Sequence, residues 1–91
     1  MVKAKIERGV YSMFTPRLRQ ILLILLKTEE TTSIKRLAEQ IGVSKRTIQR
    51  ELEYMDGALR PYSIVFQSKT GTGVWLDGTK EEKEKLLEDL R

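Results

Sequence analysis

The spacing of apolar residues along the chain changes repeatedly, and each change marks an element. Leu18, Ile21, Leu22 and Leu25 follow the i, i+3, i+4, i+7 rule, which puts them in one stripe on an α-helix. Thr15-Pro16 supplies an N-cap and a proline at the first helical position, where the missing N–H costs nothing, so a helix is predicted from Pro16 to about Lys27. Leu23 and Ile24 fall outside the stripe. That helix therefore needs cover on more than one side, from an N-terminal arm, a partner subunit, downstream sequence or the domain's own elements. Residues 1–14 show no sustained period and read as an N-terminal arm or tail.

Glu29-Glu30-Thr31-Thr32 is a polar break, and Thr32 is predicted to cap a second helix from Ser33 to about Ile41, with Ile34, Leu37, Ala38 and Ile41 inward. Gly42 ends it by tolerating positive φ, and Val43 plugs the turn. Ser44 then caps a third helix with Ile48, Leu52, Met55 and Leu59 in one narrow stripe. Gly57 and Arg60-Pro61 stop it between Asp56 and Leu59, with extended backbone expected before the proline. The period next falls to two. Tyr62 to Ser68 reads as a strand with Ile64 and Phe66 on one face and Val65 on the other, Lys69-Thr70-Gly71-Thr72-Gly73 as a turn, and Val74-Trp75-Leu76 as the returning strand. Asp77-Gly78 closes this hairpin, and Thr79-Lys80-Glu81-Glu82 is a capping box opening a last helix whose apolar residues are Leu86, Leu87 and Leu90. The predicted fold class is α+β, mainly α: a winged helix-turn-helix made of a three-helix bundle and a β-hairpin wing over 15–78. A C-terminal helix over 79–91 is expected to connect to regulatory domains.

Composition narrows the chemistry. With 91 residues there is room for one core and little for an enclosed substrate cavity, and with no Cys and no His there are no thiol nucleophiles, disulfides, zinc fingers or imidazole proton shuttles. No enzymatic activity, cofactor or metal is expected. The run Ile21 to Leu26 is far shorter than the ~20 residues of a membrane span, and Arg17, Arg19 and Lys27 bracket it. A buried helix and a cytoplasmic, membrane-free protein are the expectation. Lys and Arg number 17 against 13 acids, a net charge of +4, and the basic excess is N-terminal and central. The acids Glu81, Glu82, Glu84, Glu88 and Asp89 alternate with Lys80, Lys83 and Lys85 and read as a solvated helix face, not a cation site.

The third helix has the arrangement that reading DNA requires, an apolar anchor backed by long donors. At about 100° per residue, Arg46, Gln49, Arg50 and Glu53 lie opposite Ile48 and Leu52, with Lys45 at the N-terminal flank. Arg can donate a bidentate pair to guanine and Gln to adenine, while Ser44 and Thr47 near the positive helix end suit phosphate. Lys69 is the cation on the wing. Its Gly-x-Gly neighbours read as an ordinary hairpin turn and lack the Gly-Lys-Ser/Thr ending of a nucleotide-binding loop. Trp75, Tyr62 and Phe66 read as packing residues, not base-stacking platforms.

The segments Ile34 to Leu52 and Lys69 to Gly78, the second running straight into Thr79-Lys80-Glu81-Glu82, resemble the N-terminal winged helix-turn-helix of bacterial sugar-operon regulators that carry phosphotransferase-regulated domains, such as mannitol-operon activators. The resemblance implies that Ser44, Lys45, Arg46, Thr47, Gln49 and Arg50 form the recognition segment and that Lys69 lies on the wing. It also implies an operator-reading role in carbohydrate uptake or metabolism, with a homodimer on an inverted-repeat operator in double-stranded DNA. By itself the 91-residue chain is expected to be monomeric or weakly dimeric, because Leu86, Leu87 and Leu90 cover little surface. Two features depart from the pattern: there is no His to be phosphorylated, and Glu51 stands where a recognition helix often has an apolar residue, with Leu52 taking that role. The alternatives are another repressor module, such as that of a biotin ligase repressor, and a winged-helix protein-interaction module.

Overall fold

The computed structural model describes residues 14–91, so the arm expected over 1–14 lies, up to residue 13, outside the described residues. The elements in order are α1 (Pro16–Lys27), α2 (Ile34–Ile41), α3 (Lys45–Leu52), α4 (Met55–Leu59), a 3₁₀ turn (Arg60–Tyr62), β1 (Val65–Lys69), β2 (Gly73–Asp77) and α5 (Lys80–Leu90). Together they are a winged helix-turn-helix: helices first, then a two-stranded antiparallel hairpin, then a closing helix.

Helix α1 starts where its cap dictates, with the Thr15 hydroxyl oxygen accepting the Leu18 N–H at 3.0 Å. Leu18, Ile21 and Leu22 are fully buried and Leu25 nearly so. Around them pack α2, α3, β2 and α5, and the flanking Leu23 and Ile24 are half-buried against the same core. Leu37 and Ala38 of α2 face inward, whereas Ile34 and Ile41 are only half-buried at its two ends. Gly42 closes α2 at φ +86°, its N–H and that of Val43 both donating to the Ala38 carbonyl.

Several sequence expectations change here. The cap of α2 is Ser33, whose Oγ accepts the Arg36 N–H at 3.1 Å, not Thr32. Thr32 is instead drawn into an antiparallel bridge with Val74, the two backbones exchanging hydrogen bonds of 3.1 and 2.8 Å. The long third helix is two helices. After Leu52 the Glu53 and Tyr54 N–H groups donate to Arg50 and Glu51, three residues back, which tightens the turn. Residues bonded this way advance about 120° each instead of about 100°. The helix breaks there, yet Met55 and Leu59 stay buried as the stripe requires, joined by Ala58, on α4 beside β1. Arg60 stays helical before Pro61 (φ −53°, ψ −44°) because the proline enters the 3₁₀ turn near its start, where it forfeits no hydrogen bond. Tyr62 belongs to that turn, so the first strand begins at Val65.

Cross-strand register pairs Phe66 with Leu76 and Ser68 with Val74 on the inner face, and Val65 with Asp77 and Gln67 with Trp75 on the outer. Val74 and Leu76 are buried, while Trp75 is half-buried. It shares a depression of about 240 Å³ with Leu25, Thr28, Thr31 and Lys83, so it packs the hairpin's outer face outside the main core.

The closing helix carries the expected capping box, Thr79 Oγ1 accepting from the Glu82 N–H at 3.1 Å and the Glu82 carboxylate accepting from the Thr79 N–H at 2.8 Å. Leu86 and Leu90 are buried against α1 and the 3₁₀ turn, which leaves only Leu87 partly open. The Arg19 guanidinium donates to the Leu90 carbonyl. The Tyr62 hydroxyl donates to the Asp89 carboxylate at 2.5 Å, with the Phe14 ring 6.3 Å away on centroids.

Burial, followed by the hydrogen bond to Asp89 and its negative charge, pushes the Tyr62 phenol well above its ordinary value of 10.0. A group whose folded value is raised contributes stability that is fully present below its unfolded value and lost as pH rises above it. Stability should therefore fall in alkali beyond about pH 10. Tyr62→Phe should cost about 1 kcal/mol near neutrality and flatten that alkaline decline, as read by urea denaturation at a series of pH values.

A second expectation concerns Gly73, at φ +123°, where an added Cβ would lie 2.2 Å from the Thr32 carbonyl oxygen. Gly73→Ala should destabilise by at least ~2 kcal/mol through strain and loss of the bridge. Gly71→Ala, at φ +82° in open space, should cost only about 1 kcal/mol. Equal midpoints in thermal denaturation would contradict the close approach.

Candidate nucleic-acid interface

Helix α3 is a two-turn helix held by one fully buried side chain, Ile48, with Leu52 and Thr47 half-buried beside it. Lys45, Arg46, Gln49 and Arg50 are all exposed. The turn before it, closed by Gly42 and half-buried Val43, sets α3 against α2. Among the described residues, no other element covers these four side chains.

At the N-terminus, Ser44 Oγ accepts the Thr47 N–H at 3.1 Å and lies 3.0 Å from Thr47 Oγ1. Whichever hydroxyl donates within the pair, one O–H is left to donate elsewhere, beside the first turn's backbone donors and the positive end of the helix dipole. That corner is suited to a phosphate oxygen.

Lys69 is exposed at the end of β1, opposite Gly73 in register. Lys69, Ser68 and the tip residues share a shallow depression of about 370 Å³ with Ser33 and Ile34, at the start of α2. The wing is also anchored at its base. Thr72 N–H closes the turn onto the Lys69 carbonyl at 3.0 Å, Thr31 Oγ1 donates to the Thr72 carbonyl at 2.9 Å, and the Thr32–Val74 bridge follows. Only Thr70 and Gly71 lie beyond these ties.

Sequence reasoning did not find the contact behind α3. Glu51, noted for standing where an apolar residue is usual, accepts the Thr15 hydroxyl at 2.7 Å across 36 positions of the chain. The available signal was the departure itself: a carboxylate at an inward position needs a donor, and Thr15 at the start of α1 provides one. The wing's ties to Thr31 and Thr32 were missed as well, because one bridge has no periodicity to read. Tyr54, 62% exposed just beyond α3, is the largest open apolar side chain among the described residues.

Among the described residues no group of three or more His, Cys, Asp or Glu is placed to hold a metal ion. No described helix is long and apolar enough to cross a membrane. A family model described as HTH domain matches residues 17–74, from the first turn of α1 through α2, its turn, α3, α4 and β1 to Val74 at the start of β2. No curated protein and no solved structure matches the chain.

Proposed function

The chain belongs to this HTH domain family, and from that premise of a helix-turn-helix DNA-binding domain we propose that it reads a specific operator in double-stranded DNA through α3. The observation that carries the reading is the opposition across α3 of Ile48, fully buried, and Arg46, Gln49 and Arg50, all exposed. Side chains so placed reach base edges when the helix lies in a major groove. Lys45, the Ser44–Thr47 corner and Lys69 supply phosphate contacts that fix register without reading sequence. The net charge of +4 favours association with a polyanion.

The finer reading is an operator-reading domain of a regulator of carbohydrate uptake or metabolism, working as a homodimer on an inverted repeat. It is supported by the likeness of the Ile34 to Leu52 and Lys69 to Gly78 segments to sugar-operon regulators. Leu86 and Leu90 are spent on the domain's own core. Strong self-association through the C-terminal leucines is therefore not part of the proposal, and sedimentation of the 91-residue chain is expected to give a monomer or weak dimer.

Binding to generic duplex should be dominated by phosphate neutralisation. With about 4 to 6 phosphates engaged per domain, log K is expected to fall against log salt with a slope near −4 to −5. A slope near zero removes the DNA-binding reading.

Reading and holding separate by mutation. Arg50→Ala or Gln49→Ala should cost ~1 to 3 kcal/mol on a preferred sequence and relax base preference at one position per site. Lys69→Ala should weaken all sequences about equally and flatten the salt slope by ~1. Preference profiles measured on randomised duplexes decide between them, and a profile altered by Lys69→Ala alone would move the reading element to the wing.

A further inference from the structure

The hydrophobic effect that holds α3 has no direction. Ile48 is its only fully buried residue, so burial resists lifting the helix off the core far better than it resists rolling it about its own axis. Roll matters for reading. Side-chain tips lie about 5–6 Å from a helix axis, so a roll of about 10° moves a guanidinium by about 1 Å, enough to spoil a bidentate hydrogen bond whose geometry is narrow. Something directional and off-axis has to fix the roll.

Glu51 is placed to do this. At about 100° per residue it stands three positions from Ile48, on the flank of α3 away from Gln49, and its carboxylate accepts the Thr15 hydroxyl at 2.7 Å. Thr15 is not free to follow a moving partner. Its oxygen already accepts the Leu18 N–H at 3.0 Å, which binds it to the first turn of α1. That turn contains no acidic residue of its own, so the Glu51 carboxylate is also an anion brought to the positive end of α1, an arrangement favoured by the helix dipole.

We propose that Glu51 is a positioning residue for base reading: through Thr15 it locks the roll of α3 on α1 and so aims Arg46, Gln49 and Arg50. The inference rests on the reading of α3 given above. It assigns a specificity role to a carboxylate that touches no DNA, on the half-buried flank of the helix.

The test uses the 91-residue chain and two probes, a duplex enriched from a randomised pool by the unaltered domain and a scrambled duplex of the same composition. The readout is the ratio of the two affinities, because removing a negative charge strengthens both by electrostatics alone. Glu51→Ala should lower the ratio about tenfold, the scale of one lost bidentate base contact. Glu51→Gln, which removes the same charge but keeps an oxygen acceptor for Thr15, should stay within about twofold of the unaltered domain. Thr15→Ser should keep the ratio, and Thr15→Val should lower it about as far as Glu51→Ala. Combining Thr15→Val with Glu51→Ala should give no further drop, the signature of one shared interaction.

Stability is followed in parallel by urea denaturation, since Thr15→Val also removes the cap of α1. If Glu51→Ala is too unstable to assay, the Thr15→Ser and Thr15→Val pair carries the test. A ratio unchanged in Glu51→Ala overturns the proposal, as does an equal drop in Glu51→Ala and Glu51→Gln, which would assign the effect to charge. Failure of Glu51→Ala to lower the ratio while Arg50→Ala does lower it overturns this proposal alone. A pool from which the unaltered domain enriches nothing overturns the operator reading together with it.

Discussion

Helix α1 carries apolar side chains around too much of its circumference for one neighbour to cover, and the rest of the domain is arranged to answer that need. Leu18, Ile21 and Leu22 lose all contact with water, which requires α2, α3, β2 and α5 all to pack against it. Each fully buried Leu or Ile contributes about 1.5–3 kcal/mol, so withdrawing any one of these neighbours exposes a substantial share of a small core. The same requirement explains why α5 is no loose appendage. Its two buried leucines, the Arg19 contact to the Leu90 carbonyl and the Tyr62–Asp89 hydrogen bond fasten it along its C-terminal half.

Because α1 is enclosed, its first turn becomes a place where distant parts of the chain meet. Thr15 and Arg19 lie one helical turn apart, and from there one reaches α3 through Glu51 and the other the end of α5 through the Leu90 carbonyl. Both contacts supply what the recipient helix lacks: α1 has no acid in its first turn, and α5 has no basic residue in its last. Helices that borrow their dipole partners in this way depend on one another for stability as well as for burial.

Strong local signals were legible in the sequence. The caps at Thr15, Ser44 and Thr79, the stop at Gly42 and the change to a two-residue period after Tyr62 gave the order of elements, since each depends on neighbours in the chain. The errors have a common cause in tertiary demand. Leu52, Met55 and Leu59 fit one stripe by spacing, and Met55 and Leu59 are buried as it requires, yet the backbone tightens at Glu53 and Tyr54 and breaks the helix in two beside the hairpin. Thr32 is a good cap by residue type, but it pairs with Val74 because β2 runs beside it. The exposed face of α3 was legible because exposure on a short helix follows from the position of its anchor. Its support by Thr15 was not, since nothing local connects position 15 with position 51.

Gly73 divides the wing into two regimes. On one side lies the base, where the backbone of Thr32 passes so close that only a hydrogen atom fits. On the other lies the tip, where Gly71 has open space around it and the backbone is tied only through Thr31 and the turn's own closure. Descendants of such a sequence have unequal freedom along a few consecutive positions: insertion, deletion and exchange of charge are tolerated at the tip, while the base admits no alternative side chain without rebuilding the segment that leads into α2. Divergence in how such a wing meets a DNA backbone would accumulate at 70–72, leaving the anchorage behind it as the inherited part.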